Sequence, residues 1–140
     1  MLPNDRKAVG NVMARLIKAA SVHPNDSNLA RLAYANRLTG FFTTNAVLHL
    51  EGLGTDFPVA NGRGDLLEVA IAARAQLQQA EFKLADLNVT FPGQKGTASA
   101  YVVITGQINF RTNQFGKAFR MALQKTHGRW LISEVNTVEQ

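Results

Sequence analysis

His49 is the residue whose type and setting best suit acid–base work. It lies in the run Asn45-Ala46-Val47-Leu48-His49-Leu50-Glu51-Gly52, and an imidazole with its ordinary pKa of about 6.5 takes and returns a proton near neutral pH. Alternation along an extended run puts Val47, His49 and Glu51 on one side, so Glu51 is placed to tune or orient the imidazole. Glu134 is the second candidate, on the same expected face of the last extended run as Trp130 and Ile132. If that face is concave, its carboxylate lines a pocket and needs a partner such as Arg120 or His49. If that face is the outer one, Glu134 forms a surface ion pair. His49 likewise reads either as a catalytic base or as a partly exposed residue of a short, edge-like strand. Tyr34, Tyr101 and Trp130 offer aromatic walls and phenol hydrogen bonds to a planar ligand, or else serve as plain core. Arg120 suits a bidentate contact with an anionic ligand, or a solvent-facing or dimer-interface position.

Other chemistries are excluded by what the chain lacks. With no cysteine, thiolate nucleophiles, redox pairs and Cys-ligated metals drop out. The three histidines, at positions 23, 49 and 127, have no helical metal-ligand spacing, so no metal site and no cofactor are expected. No serine sits in a Gly-x-Ser-x-Gly elbow. Gly62-Arg63-Gly64-Asp65 reads as a helix-initiating loop. It lacks the further glycines or Gly-Lys-Ser/Thr ending of a phosphate cradle, and Asp65 would repel an anion there.

These residues need elements to hold them. The chain has 140 residues, 46% hydrophobic and 18% charged, enough for one domain with one sizeable core. Val9, Val12, Met13, Leu16, Ile17 and Ala20 recur at three- and four-residue spacing, with Arg15 and Lys18 on the other side, which predicts an amphipathic helix over 6–20. Pro24 breaks it, and Asp26 or Ser27 caps a second helix with Leu29, Leu32 and Ala33 on its inner face, fading near Thr39-Gly40. A short strand over 46–51 follows. Asp65 opens a third helix whose stripe is Leu66, Leu67, Ala70, Ile71, Ala73, Arg74 and Leu77. From about residue 80 the period becomes extended. Four long strands are predicted over 81–91, 97–110, 115–126 and 130–138, joined by short connections and therefore antiparallel. Both faces of the late strands carry apolar residues, which calls for helices on one side and a subunit partner on the other.

The formal charge is +5, but it is spread as +4 over 1–40, −2 over 41–80 and +3 over 81–140, with no basic block and no aromatic-rich RNA-binding signature. Nucleic acid is therefore not an expected partner. No window approaches the ~20 apolar residues of a membrane-spanning helix, so no membrane role is expected either. A cytoplasmic location is the default expectation, an extracytoplasmic one if a leader has been removed.

The order of elements, with 38–50 leading into 62–77 and the closing His127-Gly128-Arg129-Trp130-Leu131-Ile132, resembles the nuclear transport factor 2-like superfamily over nearly the whole chain. Phe41-Phe42-Thr43-Thr44-Asn45-Ala46-Val47 is typical of the same fold. The superfamily includes ketosteroid-isomerase-like and polyketide-cyclase-like proteins. The resemblance implies a single α+β domain over 1–140: three helices on a strongly curved, mostly antiparallel sheet, a cystatin-like cone enclosing an apolar pocket and dimerising through its outer sheet face. It also implies that His49 stands at about the place of the isomerases' catalytic carboxylate. Their oxyanion tyrosine has no counterpart in Met13-Ala14-Arg15-Leu16-Ile17, so steroid isomerisation is not expected.

The expectation is thus a small-molecule-binding protein for a hydrophobic ligand, with Tyr34, His49, Tyr101, Arg120, Trp130 and Glu134 lining a pocket between the helices and the concave sheet face. As an enzyme, isomerase-, cyclase- or hydrolase-like, it would carry out proton transfer or lyase/hydrolase chemistry on a hydrophobic substrate, with His49 as base and Glu134 or Tyr101 as orienting or acidic partner. The alternative is a non-catalytic dimerisation or protein-interaction module whose partner covers the outer sheet face.

Overall fold

The computed structural model describes residues 3–50, 59–109 and 111–138. The apolar stripe expected near the N-terminus forms helix α1 (Pro3–Ala20). Helix α2 (Asn28–Thr39) starts where Ser27 accepts a hydrogen bond from the Ala30 backbone N–H, the N-cap that satisfies an otherwise unpaired donor. Helix α3 (Gly62–Ala75) opens on Gly62, whose φ of 80° lies in the left-handed region that favours glycine. The Asn61 backbone N–H donates to Asp65 at 3.0 Å, so the Gly-Arg-Gly-Asp run does start a helix.

Six strands form one open sheet in the order β2-β1-β6-β5-β4-β3. They are β1 (Phe42–His49), β2 (Val59–Asn61), β3 (Ala80–Thr90), β4 (Thr97–Ile108), β5 (Arg111–Thr126) and β6 (Arg129–Val138). Every pairing is antiparallel except β1 with β6. The α+β class and the four late strands expected from the sequence are present. Three differences are findings. Strand β1 begins earlier than expected, β2 is an additional short strand, and the predicted connection over 111–114 belongs to β5. Asn109, with φ 52°, makes the tighter turn from β4, and its side-chain oxygen accepts from the Gln78 backbone N–H at 2.8 Å.

The three helices cover one face. Val9, Val12, Met13, Leu16 and Ile17 of α1 join Val102, Phe119, Met121, Leu123, Trp130 and Ile132 in one apolar cluster. This burial is the main source of stability. Helix α2 turns differently from the expectation: Leu29 is 77% exposed and Leu32 44% exposed, while Ala35 is fully buried. The inner face is instead Arg31, Tyr34, Ala35 and Leu38, because Arg31 donates to the carbonyls of Arg74 and Leu77 at 2.9 and 3.1 Å, closing the end of α3. In return Arg74 donates to Ala19, Ala20 and Ser21 at the end of α1. Two helix ends are therefore capped by guanidinium groups from a neighbouring helix.

Irregularities in the sheet decide which side chains face which way. The register slips between Ala122 and Leu123 of β5 opposite Glu134 and Ile132 of β6, leaving Ser133 unpaired. A bulge of this kind inverts the alternation beyond it. Trp130 and Ile132 thus face the helices, but so does Val135, and Glu134 points the other way.

Candidate functional site

An open groove of about 1230 Å³ lies between α1, α2 and the β5–β6 turn. Helix α1 contributes Asn11, Ala14, Arg15 and Lys18, all exposed and spaced so that they share the side turned from the core stripe. Helix α2 contributes Tyr34 and Arg37, one turn apart, and Ser21 and His23 come from the link between the two helices. The third wall is Gly128, Arg129, Trp130 and Leu131. Its turn is tight: His127 and Gly128 have φ of 51° and 79°, the paired positive values of the two-residue hairpin turn that follows the sheet's twist.

The aromatic walls are fixed in place. The Arg37 and Arg74 guanidinium groups lie 5.3 and 5.2 Å from the Tyr34 ring centroid, two cation–π contacts on one ring. Trp130 meets Phe91 edge-on, with centroids 6.2 Å apart, and its indole N–H donates to Asp5 at 3.4 Å. Asp5 in turn pairs with Lys125 at 3.0 Å. Burial pushes the Arg74 guanidinium below its ordinary pKa, since a desolvated cation favours its neutral form. Among the described residues no cluster of His, Cys, Asp and Glu is arranged to hold a metal.

Of the residues nominated from the sequence, the groove brings together Tyr34 and Trp130 only. His49, Tyr101, Arg120 and Glu134 do not join them, and the expected common lining is corrected here. Pairing aligns Asn88 with Tyr101, Tyr101 with Arg120, Arg120 with Asn136, and Asn136 with His49, one row across the sheet face turned from the helices. The Arg120 guanidinium stacks 5.7 Å from the Tyr101 ring centroid. Asn136 donates to Glu134 at 3.1 Å, beside His49 in the register. Two causes place them there: the β6 bulge turns Glu134 outward, and the parallel β1–β6 register sets His49 beside the outward Asn136. Glu51, the expected partner of His49, lies outside the described residues.

The residues that sequence reasoning missed are Arg37 and Arg129, together with the shared place of Arg15 and Lys18. The polar side of α1 was visible as a pattern. That α2 and a hairpin turn would bring further cations to the same groove follows only from the tertiary arrangement.

The SnoaL-like domain family matches residues 33–136. The chain is a SnoaL-like protein. The matched stretch runs from α2 to β6 and leaves out α1, which supplies one wall of the groove. The SnoaL-like chain therefore belongs to the nuclear transport factor 2-like superfamily, and its fold is the cystatin-like one. An NTF2-like protein with a cystatin-like fold from Novosphingobium aromaticivorans superposes with a TM-score of 0.68 at 18% identity, covering 96% of this chain and 80% of that one. A candidate scytalone dehydratase from the same organism gives 0.71 at 10% identity, over 96% and 85% of the two chains. A type 2 hexachlorocyclohexane dehydrochlorinase (LinA) gives 0.68 at 14% identity, over 95% and 83%. These likenesses establish the architecture. No curated protein sequence matches the chain significantly. No described helix of the SnoaL-like chain is long and apolar enough to cross a membrane.

Proposed function

We propose that this SnoaL-like protein binds a small hydrophobic molecule in the groove between α1, α2 and the β5–β6 turn. The observation that carries the reading is a groove of about 1230 Å³ with two aromatic walls held in place, which is how ligand sites bury a ring-sized body with few polar contacts. The dehydratase and dehydrochlorinase names of structurally similar proteins are consistent with small-molecule chemistry on this scaffold. His23 is the imidazole that lines the groove, so any general acid–base step there falls to it. His49 and Glu134 stand on the other sheet face.

The chain's single tryptophan, Trp130, is itself a wall of the groove and reports on occupancy. Titration with the neutral dye N-phenyl-1-naphthylamine is expected to give saturable binding with quenching of Trp130. Ala14→Phe, made at an exposed turn of α1 that lines the groove, should weaken that binding about tenfold or more. Unchanged affinity in Ala14→Phe would put the dye elsewhere and sink the reading.

The outer sheet face favours a second reading, a homodimer. Val103 and Val138, both half-buried, flank the fully buried Ala118 in one row across β4, β5 and β6, apolar positions on the face the helices leave uncovered. Light scattering is expected to give twice the 15.3 kDa chain mass, and Val103→Lys to return the monomer. A wild-type monomer at every concentration would rule the dimer out.

A further inference from the structure

Resting on the groove reading, we infer that the ligand is an anionic amphiphile, an apolar ring-sized body bearing an oxyanion group that Arg15, Lys18, Arg37 and Arg129 hold. The charge in the groove is one-sided. Those four cations and His23 line it, and no Asp or Glu does. They come from three separate elements, so their convergence is a property of the fold and not of one basic stretch of sequence.

The use made of the other arginines whose side chains are described sharpens this. Arg6, Arg31, Arg63 and Arg74 donate to backbone carbonyls, and Arg120 stacks on Tyr101. Each has a structural employment. Arg15 and Arg129 have no hydrogen-bond, ion-pair or ring partner among the described residues, and both line the groove. Arg37 stacks on Tyr34, which orders its planar guanidinium and leaves its N–H edge free to bond an oxyanion in the forked manner arginine favours. The nearby carboxylates are committed elsewhere: Asp5 to Lys125 and Trp130, and Asp26 to the His23 backbone N–H. Like charges gathered without a counter-charge repel one another, and a bound oxyanion removes that cost. The apolar part of the ligand then lies against Val12, Phe41, Trp130 and Leu131.

The sulfonated dye 8-anilinonaphthalene-1-sulfonate differs from the neutral N-phenyl-1-naphthylamine by the anionic group alone, and the pair isolates the charge. The sulfonate is expected to bind about tenfold or more tighter at low salt, with the advantage shrinking as sodium chloride screens it. In the double variant Arg15→Gln/Arg129→Gln the advantage should fall to about twofold or less. Both residues are exposed, so its melting temperature should match the wild type. Lys95→Gln/Arg120→Gln removes the same charge away from the groove, from a loop and from the other sheet face, and should keep the advantage. Equal affinity for the two dyes overturns the inference while leaving the groove reading in place, as does equal loss in both double variants. If neither dye responds to Ala14→Phe, the groove reading fails and the inference with it.

Discussion

Arg74→Met is expected to cost about 3 kcal/mol of folding free energy, read as a fall of about 10 °C in melting temperature. Arg74 is 3% exposed, and methionine nearly conserves its volume, so the loss is one of hydrogen bonds and not of packing. Its guanidinium donates to the carbonyls of Ala19 at 3.3 Å, Ala20 at 3.5 Å and Ser21 at 3.0 Å, groups that the end of α1 leaves without intrahelical partners. Removing it leaves the Ala19 carbonyl, in a buried bond, and the half-buried Ala20 and Ser21 carbonyls without their donor, the costly direction of a hydrogen-bond change. It also removes one of the two cations stacked on Tyr34. Arg74→Lys keeps the charge but not the fork, and should fall between the two. Denaturant or thermal unfolding of the three proteins decides it: a loss below about 1 kcal/mol in Arg74→Met would mean that solvent reaches those carbonyls.

Trp130→Ala is expected to cost about 3–5 kcal/mol. Trp130 is 5% exposed and belongs at once to the core cluster and to the groove wall. Its loss removes the edge-on contact with Phe91 and the indole bond to Asp5, and leaves a cavity next to α1. Trp130→Phe restores much of the volume without the N–H and should recover more than half of the loss. The same pair separates stability from binding. If Trp130→Phe folds as expected yet binds the neutral dye as well as wild type, the indole is a core residue that only happens to border the groove. Unfolding curves and dye titrations on both variants give the two answers independently.

Much of the scaffold was legible in the sequence because the signals are local. The α1 stripe and the alternation of β4 and β5 each need only a few neighbouring residues to be read. What was not legible depended on pairing between distant segments. Glu134 was assigned to a face by alternation from Trp130, and one unpaired residue, Ser133, reverses that assignment. His49 was expected beside a pocket, yet its position follows from a parallel pairing with β6 that no local pattern encodes. Leu29 and Leu32 looked like an inner face by hydropathy. Hydrogen bonds from Arg31 and the packing of Tyr34 against Arg74 turned α2 the other way. Arg74 itself fell within the apolar stripe of α3 and is indeed buried, though as a donor to carbonyls and not as a hydrophobe. For the groove, the aromatic walls were nominated and the cations were not, since residues 15, 37 and 129 meet only once the chain has folded.

The place of β6 in the sheet sets an order of assembly. Strand β1 is hydrogen-bonded to β2 and β6, and the β3–β4–β5 meander is bonded to β6 on its other side, so the two parts of the sheet meet only through residues 129–138. On a ribosome the first-made strand must wait for the last-made one before its edge is closed. Until then the β1 edge presents unpaired backbone groups, the kind of edge that invites pairing with another chain. The pairing it awaits is long-range, which makes it slow to form. The closing step of this domain's folding therefore waits until residues 129–138 have been made, and those residues act as the clasp.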